Sequence, residues 1–267
     1  MEMTTHEHHG HQHGHQHEHH GHASTVTMKL VSDATNFAAG EKVRLVFRPE
    51  DQHHPGHPVK LGVQHEAEFH LIIVNNQLNS FEHLHPEYDG NGNYFLDVVF
   101  QQSGPYILFA DFQAEGFAPQ TDKINVIVKG NVQQPAANAA QKLTDNTDGL
   151  SLTIEATAPF VAGAETMIPL RVTKDGTAIV AADITPYLGA VAHMILIGQQ
   201  DKEFLHIHPM SDNKFPIIGH TVFPKADTYR MWVQFQTHGT LHTASFTLEV
   251  KSAGEADMSH HHHGHHH

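Results

Sequence analysis

The sequence contains an internal repeat, and this feature most limits what the chain can fold into. A shift of 123 positions places His70 on His193 and residues 81–86 on residues 204–209. The same shift keeps apolar, turn and histidine positions aligned over more than forty residues. A repeat of this length is typical of a duplicated domain, so we predict two copies of one domain in tandem.

Each copy consists of short segments rich in β-branched and aromatic residues. In the first copy they fall at 43–47, 69–74, 94–100 and 106–109, separated by turn-forming glycine, asparagine and proline. None of the longer stretches of sequence repeats its apolar residues with the period of an α-helix. Many short strands with regular turns predict an all-β fold, built as an antiparallel sandwich or barrel.

The domain boundaries follow from these changes of pattern. We predict a disordered histidine-rich tail at 1–25, a sandwich at 26–130, a linker at 131–148, a second sandwich at 149–251 and a second disordered histidine-rich tail at 252–267. The tracts at 6–22 and 260–267 hold 17 of the 30 histidines and offer nothing to bury. We favour a native C-terminal tract over a purification tag, because Gly264 interrupts it and the N-terminal tract resembles it.

Each copy carries three histidines at the same spacing, His-x12-His-x-His-Pro. They are His70, His83 and His85 in the first copy, and His193, His206 and His208 in the second. Side chains two residues apart share one face of a strand, and a hairpin centred near residue 77 places the first histidine opposite the other two. Three neutral imidazoles suit a copper or zinc ion. The alternative is a structural hydrogen-bonding role.

The fourth ligand is expected to differ between the two copies. Asp111 of the first copy aligns with Gln234 of the second, and the second copy also offers His242 near its following strand. We therefore predict two metal sites that share three imidazoles and differ at the fourth position.

Composition excludes several classes of protein. The chain has no cysteine, which rules out thiolate zinc sites, iron–sulfur clusters and blue-copper centres. The net charge of −14 disfavours nucleic acid and anionic membranes as partners. No apolar run reaches the roughly 18 residues of a transmembrane segment. No phosphate loop, HExxH pattern or Ser/His/Asp arrangement supports hydrolytic chemistry.

Both copies resemble a group of exported bacterial proteins. The resemblance rests first on residues 70–74 with 81–87 and on residues 193–197 with 204–209, which are similar to a strand histidine followed by an F-x-H-L-H-P strand. It rests also on residues 104–112, which are similar to a later G-x-Y-x-(L/V)-F-A-D-F strand. These proteins look akin to YtkA-like and cupredoxin-like immunoglobulin-type domains. The resemblance implies two tandem immunoglobulin/cupredoxin-like β-sandwiches outside the cytoplasm, often associated with copper or heavy-metal handling. Gln234 departs from this pattern.

The leading functional hypothesis is a metal-binding protein rather than an enzyme. It would act as an extracytoplasmic chaperone, buffer or scavenger of copper or zinc, with a metal transporter or another envelope protein as a possible partner. Residues 1–4 lack the charged and apolar parts of a signal peptide, so a cytoplasmic location is the alternative. Two other functions stay open: a copper redox enzyme resembling superoxide dismutase, and a structural or adhesive module. The first lacks a fourth histidine common to both copies, and the second leaves the repeated histidines unexplained.

Overall fold

The structure is a computed structural model that describes residues 23–259. The tracts at 1–22 and 260–267, which include most of the predicted tails, lie outside the described residues. The strands of the first copy are β1 (Val26–Leu30), β2 (Lys42–Asp51), β3 (Phe69–Asn75), β4 (Phe81–Leu84), β5 (Glu87–Tyr88), β6 (Tyr94–Val99), β7 (Gly104–Phe112) and β8 (Gln120–Val128).

The second copy repeats this order with short additions. Its strands are β9 (Thr144–Thr147), β10 (Leu150–Ile154), β11 (Phe160–Val161), β12 (Glu165–Lys174), β13 (Thr177–Ile179), β14 (Ile184–Thr185), β15 (Ala192–Gly198), β16 (Phe204–Ile207), β17 (Ile217–Val222), β18 (Asp227–Thr237) and β19 (Thr240–Lys251). Short 3-10 helices span Ala34–Asn36 and Ala181–Asp183, and the helix α1 spans Ala253–Ser259.

The duplication is visible in the strand boundaries. A shift of 123 residues carries β2, β3, β4 and β6 onto β12, β15, β16 and β17 with identical bounds. The predicted all-β class and the tandem arrangement are therefore confirmed.

Each copy is a sandwich of two sheets. In the first, one sheet has the order β1-β2-β6-β5 and the other β4-β3-β7-β8. In the second, β13-β12-β10-β9 with β17 beside β12 faces β11-β19-β18-β15-β16 with β14 beside β18. The named strands pair antiparallel except β11 with β19. This agrees with the predicted immunoglobulin-type architecture.

The central strands β3 and β15 are buried along their whole length. Successive side chains of a strand point to opposite faces, so two faces need cover. Leu71 and Ile73 pack in the core of the first sandwich, whereas Ile72 and Val74 join a separate apolar cluster with Trp232 of the second sandwich. The two sandwiches therefore pack sheet against sheet across this cluster, which we call the interface cluster.

The interface cluster consists of apolar side chains from both copies. Its members are Ile72, Val74, Leu78, Ile107, Phe109, Ile195, Ile197 and Trp232, with the partly buried Phe81 and Phe204 packed against them.

Two segments differ from the boundaries predicted from sequence. Strand β9 lies inside the predicted linker and pairs with β10, so the second sandwich begins earlier than its apolar pattern indicated. The preceding segment packs on the first sandwich, where the Asn79 side chain donates to the Pro135 carbonyl at 2.7 Å. Helix α1 occupies the start of the predicted C-terminal tail.

Among residues 23–259, no helix combines the length and apolar character needed to cross a membrane.

Candidate metal centre

The β3–β4 hairpin assembles the first set of histidines. Ile72 pairs with His83 in this hairpin, and the same register places His70 opposite His85, just beyond the end of β4. The His70 Nδ1 atom lies 3.1 Å from His83 Nε2 and 3.1 Å from His85 Nε2. The three imidazoles thus converge as the sequence spacing predicted. We call this group triad 1.

The β15–β16 hairpin assembles the second set in the same way. Its histidines are His193, His206 and His208, and the His193 Nδ1 atom lies 3.2 Å from His206 Nε2. In each group the potential ligand atoms lie within 4.8 Å of one another. Nitrogens bound at about 2.0 Å to one tetrahedral ion are about 3.3 Å apart, close to the observed separations. We call this second group triad 2.

The strand histidines of both triads are oriented by backbone carbonyls. His70 donates from Nε2 to the Gln64 carbonyl at 2.9 Å, and His193 donates from Nε2 to the Tyr187 carbonyl at 3.0 Å. A carbonyl oxygen only accepts, so in both rings the proton lies on Nε2. The Nδ1 atom that faces the triad therefore carries a lone pair.

Two further histidines are oriented by side chains of the opposite sandwich. His206 donates from Nδ1 to Asp111 Oδ2 at 2.7 Å, and His83 donates from Nδ1 to Gln234 Oε1 at 2.9 Å. Metal-binding histidines usually donate their outer N–H to a carboxylate or carbonyl in this way. The structure therefore places Asp111 and Gln234 behind a histidine of the other copy, and not at the fourth position of their own triad as the sequence predicted.

In each triad, two inward nitrogens have no proton to share when their rings are neutral. With the outer N–H groups committed, lone pairs of His70 and His83 face each other at 3.1 Å, and those of His193 and His206 at 3.2 Å. His208 Nε2 is buried without a hydrogen-bond partner. Such an arrangement is unfavourable unless a cation lies between the lone pairs, so the donor set fits a metal ion.

Burial keeps four of these imidazoles uncharged. It lowers the pKa of His85 to about 4 and the pKa values of His193 and His208 to about 3, with neighbouring histidines adding to the effect. Burial likewise lowers the pKa of His70. Near neutral pH these four rings are therefore in the neutral form that binds metals.

His242 lies away from triad 2, contrary to the sequence prediction. It pairs with Phe235, one residue beyond the row that contains Gln234 and Thr243, and so points to the opposite face of the sheet. There it is buried, and its ring nitrogens are hydrogen-bonded to Asp148 and Thr237, each at 2.8 Å. Both nitrogens are engaged, and His242 does not complete a metal site here.

His65 approaches triad 2 although the sequence gave no reason to select it. Its ring stacks on that of His208 with centroids 3.4 Å apart, although it belongs to the first copy. The position is not part of the repeated histidine set, because the second copy has Leu188 there. A solvent-open cleft of about 710 Å³ lies beside this pair. Its lining includes His65, Asp111, His206, His208 and His220.

The comparisons with known proteins identify a family. The sequence matches a family described as "Domain of unknown function (DUF8832)" twice, over residues 21–130 and 145–252. The chain belongs to this family. The two DUF8832 copies coincide with the two sandwiches, and each contains one complete triad. No curated protein is significantly similar to the chain.

Solved structures similar to this tandem DUF8832 chain are distant. Fibronectin(III)-like modules of Clostridium thermocellum CbhA share 14% identity, covering 90% of this chain and 100% of that one, with a TM-score of 0.25. E. coli alpha-2-macroglobulin shares 11%, covering 86% of this chain and 14% of that one, with a TM-score of 0.28. A Ca2+-stabilized ice-binding adhesin of an Antarctic bacterium shares 13%, covering 87% and 49%, with a TM-score of 0.22. Such low scores carry no information about function. The comparisons give the family as DUF8832 and do not support the YtkA-like family that the sequence resembles.

Proposed function

We propose that the chain is a metal-binding protein that holds copper or zinc at its two histidine triads. The observation that carries the proposal is the convergence of the three histidines in each triad, where lone pairs face each other and His208 Nε2 is buried without a hydrogen-bond partner. Hydrogen bonding alone gives no reason to turn two such lone pairs toward each other in each triad, whereas coordination of one ion does.

The ligand chemistry supports copper or zinc over harder ions. Each triad offers imidazole nitrogens only, and magnesium and calcium prefer oxygen ligands. No described Asp, Glu or further His joins either group as a fourth member. Each ion would therefore keep a coordination position for water or an exchanging ligand.

The role that fits best is that of a chaperone, buffer or scavenger outside the cytoplasm. The tail tracts, with their 17 histidines, can capture ions loosely, while the buried triads hold them in a defined geometry. The resemblance to exported YtkA-like and cupredoxin-like proteins belongs to this proposal, as does a metal transporter or other envelope protein as the partner.

Elemental analysis tests the proposal in a variant whose tails lack the histidines that would bind metal. We define the tail-silent variant as the full chain with all 17 histidines at 6–22 and 260–267 replaced by glutamine. After purification without metal-affinity resin and equilibration with micromolar copper or zinc, it should retain two ions per chain. Adding His85→Ala and His208→Ala together should abolish this retention.

The matched control changes a histidine that lies outside the triads. His53 is exposed on a loop, so His53→Gln should leave the metal content unchanged. A tail-silent variant that retains neither metal, or a double variant that retains as much as its parent, would overturn the proposal.

A further inference from the structure

The two triads lie against each other across the junction between the sandwiches. Ring centroids within a triad are 4.5 to 5.5 Å apart. Centroids of the four closest pairs across the junction, which join His70 or His83 to His193 or His206, are only 5.6 to 6.3 Å apart. The six histidines therefore form one continuous group.

Each sandwich also completes the hydrogen bonding of the other's triad. Asp111 of the first copy holds His206, and Gln234 of the second copy holds His83. Because these acceptors come from the opposite copy, neither triad has its full set of orienting bonds within one sandwich.

Two equivalent aromatic stacks hold the two sandwiches in this arrangement, since each copy places one ring on an aromatic ring of the other. Phe81 of the first copy stacks on Trp232 with centroids 4.7 Å apart, and Phe204 of the second copy stacks on Phe109 at the same 4.7 Å. These positions correspond under the 123-residue shift, so the junction has approximate twofold symmetry. The symmetry relates one triad to the other and brings both to the same place.

We infer that the two triads form a single dinuclear centre, an inference that rests on the proposed metal-binding function. An ion lies about 2.0 Å from its imidazole nitrogen, so two ions in these triads would be no more than about 12 Å apart. Two divalent ions at this range repel each other. The Asp111 carboxylate and a small anionic ligand such as hydroxide reduce that repulsion, and the second ion binds more weakly than the first.

Electron paramagnetic resonance with copper(II) alone as the probe distinguishes one centre from two. The protein is the tail-silent variant, at one and at two equivalents of copper. At one equivalent we expect an ordinary mononuclear signal. At two equivalents we expect either a half-field transition from dipolar coupling or an integrated intensity well below two spins from exchange through a bridge. Both outcomes support the dinuclear centre.

Single-triad variants supply the reference spectra. His85→Ala and His208→Ala each leave one complete triad, and both replace a side chain that is not fully buried. Each should bind one copper with a full-intensity mononuclear signal. A two-copper spectrum of the parent equal to the sum of these two signals would overturn the inference. So would a parent that binds one copper in total and loses it in either variant.

Failure of the underlying function is separately visible. A parent that binds no more copper than the double variant lacks triad binding altogether, and this result contradicts the proposed function and the dinuclear centre together. Additive, uncoupled signals leave the proposed function intact and contradict only the dinuclear centre.

Discussion

Triad 1 and triad 2 share their three histidines but differ in what surrounds them. His83 of triad 1 donates to a neutral amide oxygen of Gln234, whereas His206 of triad 2 donates to the carboxylate of Asp111. A carboxylate partner makes an imidazole a stronger electron donor than an amide does. The duplication thus kept the three histidines and changed the residues that accept their hydrogen bonds, so we expect the two triads to differ in metal affinity.

The two triads also differ in their access to solvent. Triad 2 borders the cleft through His206 and His208, and His65 covers one face of the His208 ring. No triad 1 histidine lines that cleft. We therefore expect triad 2 to bind and release its ion faster, while triad 1 holds the more slowly exchanging ion.

The largest effect is expected when the junction that holds the triads together is broken. Trp232 is 4% exposed and stacks on Phe81, so Trp232→Ala should lower the free energy of unfolding by about 3–5 kcal/mol. Trp232→Phe introduces the residue found at the corresponding position, Phe109, and should cost less than Trp232→Ala, because an aromatic ring still stacks on Phe81. Denaturant titration followed by circular dichroism measures both.

This prediction also separates a functional junction from an incidental one. If Trp232→Ala leaves both stability and the binding of two copper ions unchanged, the interface cluster does not position the triads.

Removal of one ligand comes next in size. In the tail-silent variant, His83→Ala should weaken binding at triad 1 by at least about 100-fold, since losing an outer hydrogen bond alone costs about 10–100-fold. The corresponding change, His206→Ala, should do the same at triad 2. Competition with a chromogenic chelator measures each affinity. Equal loss of both ions in either variant would show that the sites cannot be filled independently.

Substitution of the two hydrogen-bond acceptors, Asp111 and Gln234, tests directly whether the two triads differ in metal affinity. With only triad 2 intact, in a His85→Ala background, Asp111→Asn should lower metal affinity by about 10–100-fold because His206 loses its charged partner. With only triad 1 intact, in a His208→Ala background, Gln234→Glu should raise the affinity. Isothermal titration calorimetry gives both constants. The comparison fails if neither change alters affinity, or if Asp111→Asn acts equally on triad 1.

The grouping of the histidines into triads could be predicted from the sequence because it depends only on local geometry. The spacing of His70, His83 and His85 within one hairpin is enough to bring three rings together, and the duplication repeats it. The sequence prediction that His242 joins triad 2 was wrong for an equally local reason. Strand alternation places it on the face opposite Gln234, so a one-residue difference in register decides between metal site and core.

The partners across the junction could not be read in the same way. Asp111 and Gln234 act on histidines 95 and 151 residues away in sequence, and no local pattern encodes a contact between two sandwiches. One signal was available: residues 70–74 and 193–197 are apolar beyond the histidine, without the alternation of a half-buried strand. Such a run indicates a strand covered on both faces, and hence a second layer against it.

The smallest effect is expected at His65, the neighbour that only triad 2 has. His65 and its counterpart Leu188 share a left-handed backbone, with φ values of 46° and 48°, so His65→Leu gives the first copy the residue the second already carries. Loss of the ring stack on His208 should change triad 2 affinity by less than about tenfold, since such contacts contribute about 0.5–1.5 kcal/mol. Release of copper from triad 2 to a chelator should nevertheless become faster, because the ring no longer covers His208 beside the cleft. Stopped-flow measurement in the His85→Ala background tests this, with His53→Gln as the control. An unchanged release rate would mean that His65 does not control access, and that the difference between the triads lies in Asp111 alone.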